Sequence, residues 1–229
     1  MTDNSNNTVS NQHANASQVL VWDLLVRIGH WLLLVLFFVA YFTDDELLTL
    51  HNWTGYGVGI YVLVRLIWGF VGPKHARFDD FAYGPASAAR YLRELIRFKA
   101  RRYIGHSPAG ALMIFLLLIC LGATTVSGIA VLAIEENAGP LAPWLGPGDA
   151  MKKAMPDLSL FTAPAHASED EEEEEEEEEN ESVLGEFHEF ISEFTMLLII
   201  LHIAGVALAS AVTRENLARA MVTGRKRAE

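Results

Sequence analysis

Four stretches of this chain, at about residues 19–42, 50–72, 109–134 and 185–212, are long and apolar enough to cross a lipid bilayer. A spanning helix needs about 20 mostly apolar residues, because the hydrocarbon core offers no water to an open backbone. Four such runs within 229 residues leave little chain for a soluble domain. The expected fold class is therefore all-α, an integral membrane four-helix bundle. Composition agrees, since 51% of the residues are apolar and only 20% are charged.

The basic residues set the expected orientation. Eight (Lys74, Arg77, Arg90, Arg93, Arg97, Lys99, Arg101 and Arg102) lie between spans two and three, and five (Arg214, Arg219, Arg225, Lys226 and Arg227) follow span four. Only Lys152 and Lys153 lie in the opposite loops. The positive-inside rule then puts both ends in the cytoplasm of a multi-pass protein. Residues 84–102 place Tyr91, Leu92, Leu95, Ile96 and Phe98 broadly on one helical face with bases opposite, which predicts a cytoplasmic interfacial helix against anionic lipid. Residues 1–18 read as a disordered cytoplasmic tail, 19–222 as the membrane domain and 223–229 as a basic cytoplasmic tail.

The formal charge of −12 comes from one run: Glu169, Asp170, Glu171 to Glu179, and Glu181. Without those twelve acids, seventeen acids match seventeen bases. So few bases exclude a phosphate-tracking nucleic-acid face. The run belongs to an outer loop, about 135–184, whose like charges repel, which predicts a solvated, unfolded segment. Two uses of it stay open, a plain spacer or a docking strip for a basic periplasmic partner. The single cysteine, Cys120, excludes an intramolecular disulfide, a Cys-ligated zinc or iron–sulfur site and covalent haem attachment through CxxCH.

An ionisable residue at membrane depth is costly and marks a functional site. His13, His75 and His166 lie outside the spans, whereas His30, His51, His188 and His202 lie within them or at their mouths. His188 and His202 are fourteen residues apart, which on an α-helix is within about 40° of whole turns and about 21 Å along the axis. Both rings then leave one face of span four at two depths. Span one runs in the opposite sense and brings His30 to the depth of His202. Span two starts outside and brings His51 to the depth of His188. Two bis-imidazole pairs, His30/His202 and His51/His188, describe the axial ligands of two non-covalent haems b. The alternative is a haemless transport or metal-binding module that uses the same histidines.

Neighbouring residues fit the haem expectation. Gly55, Gly57 and Gly59 follow His51, and Gly205 lies one turn below His202, so flat groups have access to the helix backbones; ordinary small-residue helix contacts are the other reading. Arg27 lies one turn from His30, and Arg65 lies on the face of His51 at the depth of the inner pair. A buried arginine needs a carboxylate, which haem propionates supply, although either side chain could instead snorkel to the inner headgroups.

These residues carry a family resemblance. Arg27-Ile-Gly-His30-Trp31, His51-Asn-Trp-Thr-Gly55 with Arg65-Leu-Ile-Trp68-Gly69, Gly105-His106-Ser107-Pro108-Ala109-Gly110, and His188 with His202 together resemble the bacterial cytochrome b561 and nickel–iron hydrogenase b-type cytochrome family over about residues 19–222. The resemblance implies a two-haem membrane anchor that passes electrons between a periplasmic redox partner, such as a hydrogenase or a cytochrome c, and membrane quinone. A homodimer is compatible with it. His106 resembles a family position often occupied by Gly-His-Asn-Pro, here with Ser107 for Asn, where it could orient a propionate or a quinone or simply cap span three.

Overall fold

The computed structural model describes residues 18–43, 47–145 and 183–228. The acidic run and residues 1–17 lie outside the described residues. In chain order the elements are β1 (Gln18–Leu20), α1 (Leu24–Phe42), α2 (Leu48–Val71), α3 (Pro85–Ile96), α4 (Pro108–Ile134), α5 (Ala142–Leu145), α6 (Val183–Thr213), α7 (Leu217–Thr223) and β2 (Arg225–Arg227), with short 3₁₀ turns at Lys74–Ala76 and Phe78–Asp80. The four helices α1, α2, α4 and α6 are each long and apolar enough to cross a membrane. Their outward side chains are apolar: Ile28, Val35, Ile60, Ile67, Ile119 and Ile203 are all more than half exposed. A soluble chain would bury such faces, but lipid tails solvate them. This is an all-α, multi-pass membrane protein.

Local chemistry fixes the span ends. The first span begins at Leu24, not near residue 19, because residues 18–20 are a strand and the Asp23 carboxylate caps the helix, accepting from the Val26 amide at 3.1 Å. Span two stops at Gly72-Pro73, where proline cannot continue the helical ladder. Span three opens with Pro108 at its first turn, where a missing N–H costs nothing, and the Ser107 hydroxyl accepts from the Gly110 amide at 3.3 Å.

The described residues up to 121, together with those from 195 onward, form one compact unit, and the described residues between 122 and 194 form another. In the first unit all four long helices contribute to one core. Phe37, Val58, Val62 and Leu121 are buried together, with Met196 and Ile199 packed against them. Gly29 lets α1 approach α2, since a Cβ there would collide with the Tyr61 ring. A Cβ at Gly69 would likewise collide with the Phe78 ring. Gly69→Ala is expected to cost about 1–3 kcal/mol of stability, the usual range for overpacking. Thermal denaturation in detergent checks this, and an unchanged midpoint would mean that Phe78 swings aside freely.

Helix α3 is shorter than the expected 84–102 segment and only part of its apolar face is exposed. Tyr91 and Leu95 are buried with Ala209 of span four, whereas Leu92, Ile96 and Phe98 are exposed. The helix stops at Ile96 because Phe98 takes a left-handed backbone conformation, φ 56°.

The segment after span four folds back. β2 pairs antiparallel with β1 in the register Gln18↔Arg227, Val19↔Lys226 and Leu20↔Arg225. Gly224 ends α7 with φ 78°, and its carbonyl accepts from the Val21 and Trp22 amides at 2.8 and 3.1 Å. A left-handed residue with a backbone packed on it suits glycine. Beneath this clasp Arg102 donates two hydrogen bonds to Glu215, at 3.1 and 3.0 Å, and Lys226 Nζ donates to the Tyr103 and Gly105 carbonyls. Burial alone would raise the Glu215 pKa, but hydrogen bonds from Arg102 and the Arg227 amide, with the Arg102 and Lys226 charges, hold it below its ordinary value.

Candidate functional site

His30 sits in the second turn of α1 and His202 lies eleven residues before the end of α6. Their ring centres are 6.4 Å apart and their planes 54° apart. Metal–imidazole bonds are about 2 Å, and each ring centre lies about 1 Å behind its ligating nitrogen, so one metal ion between two opposed rings sets their centres about 6 Å apart. The observed pair has that separation. Among the described residues no group of three or more His, Cys, Asp or Glu side chains could hold a metal ion. Two imidazoles can complete an iron site when the other four donors come from a porphyrin, so this donor set suits haem.

Buried polar atoms of the same unit give a second test. His30 Nδ1, Arg65 Nη1, Arg27 Nε, Trp68 Nε1 and His106 Nδ1 are shielded from solvent and have no hydrogen-bond partner among the described residues. Unmet donors of this kind are uncommon inside proteins and mark a missing partner. A group that brings anionic oxygens to Arg65 and His106 would satisfy them. Arg65 is 5% exposed, with its guanidinium carbon 5.0 Å from the centre of the Phe78 ring. Stacking on the ring holds the side chain inside the protein. Arg27 differs, since one guanidinium nitrogen donates to the Val222 carbonyl and ties α1 to the end of α7.

His106 lies between Trp22 and Phe81, at ring-centre distances of 4.5 and 4.2 Å. Burial first, then the charges of Arg65, Lys226 and His75, pushes its pKa down to about 3. It is therefore neutral at physiological pH and offers a hydrogen bond, not a charge. Ser107, not His106, caps span three. Cβ atoms built at Gly55 and Gly205 would meet nothing within 4 Å, so open space lies beside both.

His51 opens α2, and its Nδ1 lies 2.9 Å from the Ala40 carbonyl near the end of α1. In the second unit His188 Nδ1 lies 3.0 Å from the Ser127 hydroxyl, which itself donates to the Thr124 carbonyl. Ser127 therefore accepts from His188. In both rings Nδ1 carries the proton and Nε2 the lone pair, the tautomer fixed in metal-ligating histidines by such an outer contact. A Cβ at Gly128 would fall 2.8 Å from His188 Cε1, so glycine admits the ring. Sequence reasoning missed Ser127 and Phe78; the grouping of Thr124, Thr125 and Ser127 in an otherwise apolar span was the available signal.

A membrane-spanning α-helical protein with a paired-imidazole centre belongs to the b-type cytochromes. The sequence profile of prokaryotic cytochrome b561 matches residues 21–224, and the chain belongs to that family. It is 26% identical over 129 residues to a probable Ni/Fe-hydrogenase B-type cytochrome subunit of Rhizobium leguminosarum bv. viciae, covering 43% of this chain and 53% of that protein. It is 28% identical over 155 residues to a protein of the same description from Azotobacter chroococcum mcd 1, covering 54% and 63%. The chain thus spans less than two thirds of the length of these curated relatives. No solved structure matches it.

Proposed function

We propose that this protein is a two-haem b-type cytochrome of the bacterial inner membrane, with both ends cytoplasmic, that carries electrons between a periplasmic redox partner and membrane quinone. The observation that carries this reading is the His30–His202 pair, 6.4 Å between ring centres, beside the unmet donors of Arg65 and His106. His30 and His202 would ligate the inner haem, and Arg65 and His106 would hold its propionates. His51 and His188 would ligate the outer haem. That second pair rests on the depth order of the spans in the sequence and on the two Nδ1 hydrogen bonds. Gly55 and Gly205 leave room for flat groups. When bound, haem supplies one-electron Fe(III)/Fe(II) chemistry, and the chain's own contribution is ligand identity, spacing and polarity. A hydrogenase is the partner suggested by the relatives' descriptions; a cytochrome c would present the same kind of donor.

A reduced-minus-oxidised spectrum of the purified protein, with haem quantified per chain, tests the proposal. Two haems per chain are expected. Absence of a Soret band would overturn it and favour the haemless transport or metal-binding alternative.

Arg65 supplies a sharper test. Its guanidinium favours the reduced iron, which carries one positive charge fewer. Arg65→Leu is expected to lower the potential of the inner haem, on the order of 50 mV for one unit charge in a partly shielded interior. Arg65→Lys should restore most of that. An unchanged potential with both haems retained would remove Arg65 from the propionate site.

A further inference from the structure

Beneath the strand pairing of β1 and β2, within the first unit, lies a recess of about 650 Å3 that the proposed haem sites do not use. Arg214, Arg219, Arg225 and Arg227 line it with Gln18 and Asn216. All four arginines are exposed, and none has an ion-pair partner among the described residues. The carboxylate in the recess, Glu215, is already committed to the Arg102 side chain and the Arg227 amide. Lys226 adds a buried cation whose ammonium is held by the Tyr103 and Gly105 carbonyls. The recess is therefore strongly and durably positive.

Its position narrows the ligand. Arg214 follows Thr213, the last residue of the fourth span, and turns the chain there with φ 51°. That places the recess at the boundary between hydrocarbon and water. Leu20, paired with Arg225, and Val222, next to the lining residue Thr223, are both more than half exposed and add an apolar rim beside it. Guanidinium forks match phosphate oxygens bidentately, and basic pockets at helix ends suit anionic headgroups. A soluble anion would satisfy the arginines but has no use for the rim.

We propose that this recess binds the phosphate headgroup of an anionic phospholipid from the leaflet on the basic side of the membrane. The guanidiniums hold the phosphate and the acyl chains lie over the apolar rim. The site would tie span four, α7 and β2 to a structural lipid, and it stands whether or not the haem reading holds.

Native mass spectrometry of the purified full chain in neutral detergent tests this, with phosphatidylglycerol and phosphatidylcholine as probes. Phosphatidylglycerol is expected to be retained at least tenfold better than phosphatidylcholine. Each arginine near the surface contributes about fivefold to such binding, so Arg219→Gln with Arg225→Gln should weaken it about 25-fold. Lys74→Gln, at an exposed base outside both the recess and α3, should leave it unchanged. Arg214→Gln alone, at about fivefold, gives the same test if the double variant is unstable, as judged by its thermal midpoint. Equal retention of the two lipids, or a loss in the Lys74 variant equal to that in Arg214→Gln, would overturn the proposal. Complete displacement of phosphatidylglycerol by millimolar inorganic phosphate would also overturn it, since the recess would then be a soluble-anion site.

Discussion

His30→Ala and His202→Ala are each expected to lower haem content from two per chain to one and to remove the same absorption component. His51→Ala and His188→Ala should each remove the other component and spare the first. The effect is expected to be large for each haem, because without CxxCH the two axial imidazoles would be its only bonds to the chain. Pyridine haemochrome quantification with redox titration of the remaining α-band reads the result directly. The 6.4 Å separation of the His30 and His202 rings makes the first pair the stronger expectation. If His30→Ala and His188→Ala depleted one common haem, the pairing by depth would be wrong.

Glu215→Gln is the second large effect, and it concerns stability. The carboxylate is 9% exposed and meets Arg102, the Arg227 amide and the field of Lys226. Replacing one partner of a fully buried pair costs about 3–5 kcal/mol, and the partial exposure of Arg102 reduces that to about 2–3 kcal/mol here. Because the folded pKa of Glu215 is depressed, its contribution is present above the unfolded value near 4.5 and is lost as pH falls through the folded one. Thermal midpoints at pH 7 and pH 4 should therefore differ more in the parent than in the glutamine variant. Equal pH sensitivity in both would place the acid-labile group elsewhere.

The spans were legible because membrane insertion imposes a one-dimensional rule, about 20 apolar residues in a row, and the structure keeps all four. The closeness of His30 and His202, 6.4 Å between ring centres, was legible for the same reason: a regular helix converts residue number into height. What escaped was set by contacts between distant segments. Asp23 falls inside the 19–42 stretch, yet it is the cap that starts the helix. Tyr91 and Leu95 looked lipid-facing by their spacing, but Ala209, more than a hundred residues later, covers them. Periodicity reports which face is apolar and says nothing of what meets it. The Arg102–Glu215 pair spans 113 residues with no local pattern at either end. The role of Arg27 was ambiguous until Val222 supplied its acceptor.

The pairing of residues 18–20 with residues 225–227 also orders events during biogenesis. The ribosome releases the first strand long before the second exists, and all four spans must enter the bilayer between the two. Until then Leu20 has no strand partner, Arg27 lacks the Val222 carbonyl, and Glu215 has not met Arg102. The seal over the basic side can therefore close only on a fully inserted chain. A chain stalled after three spans would leave a free strand edge and unmatched charges at the membrane surface, features that the finished protein lacks.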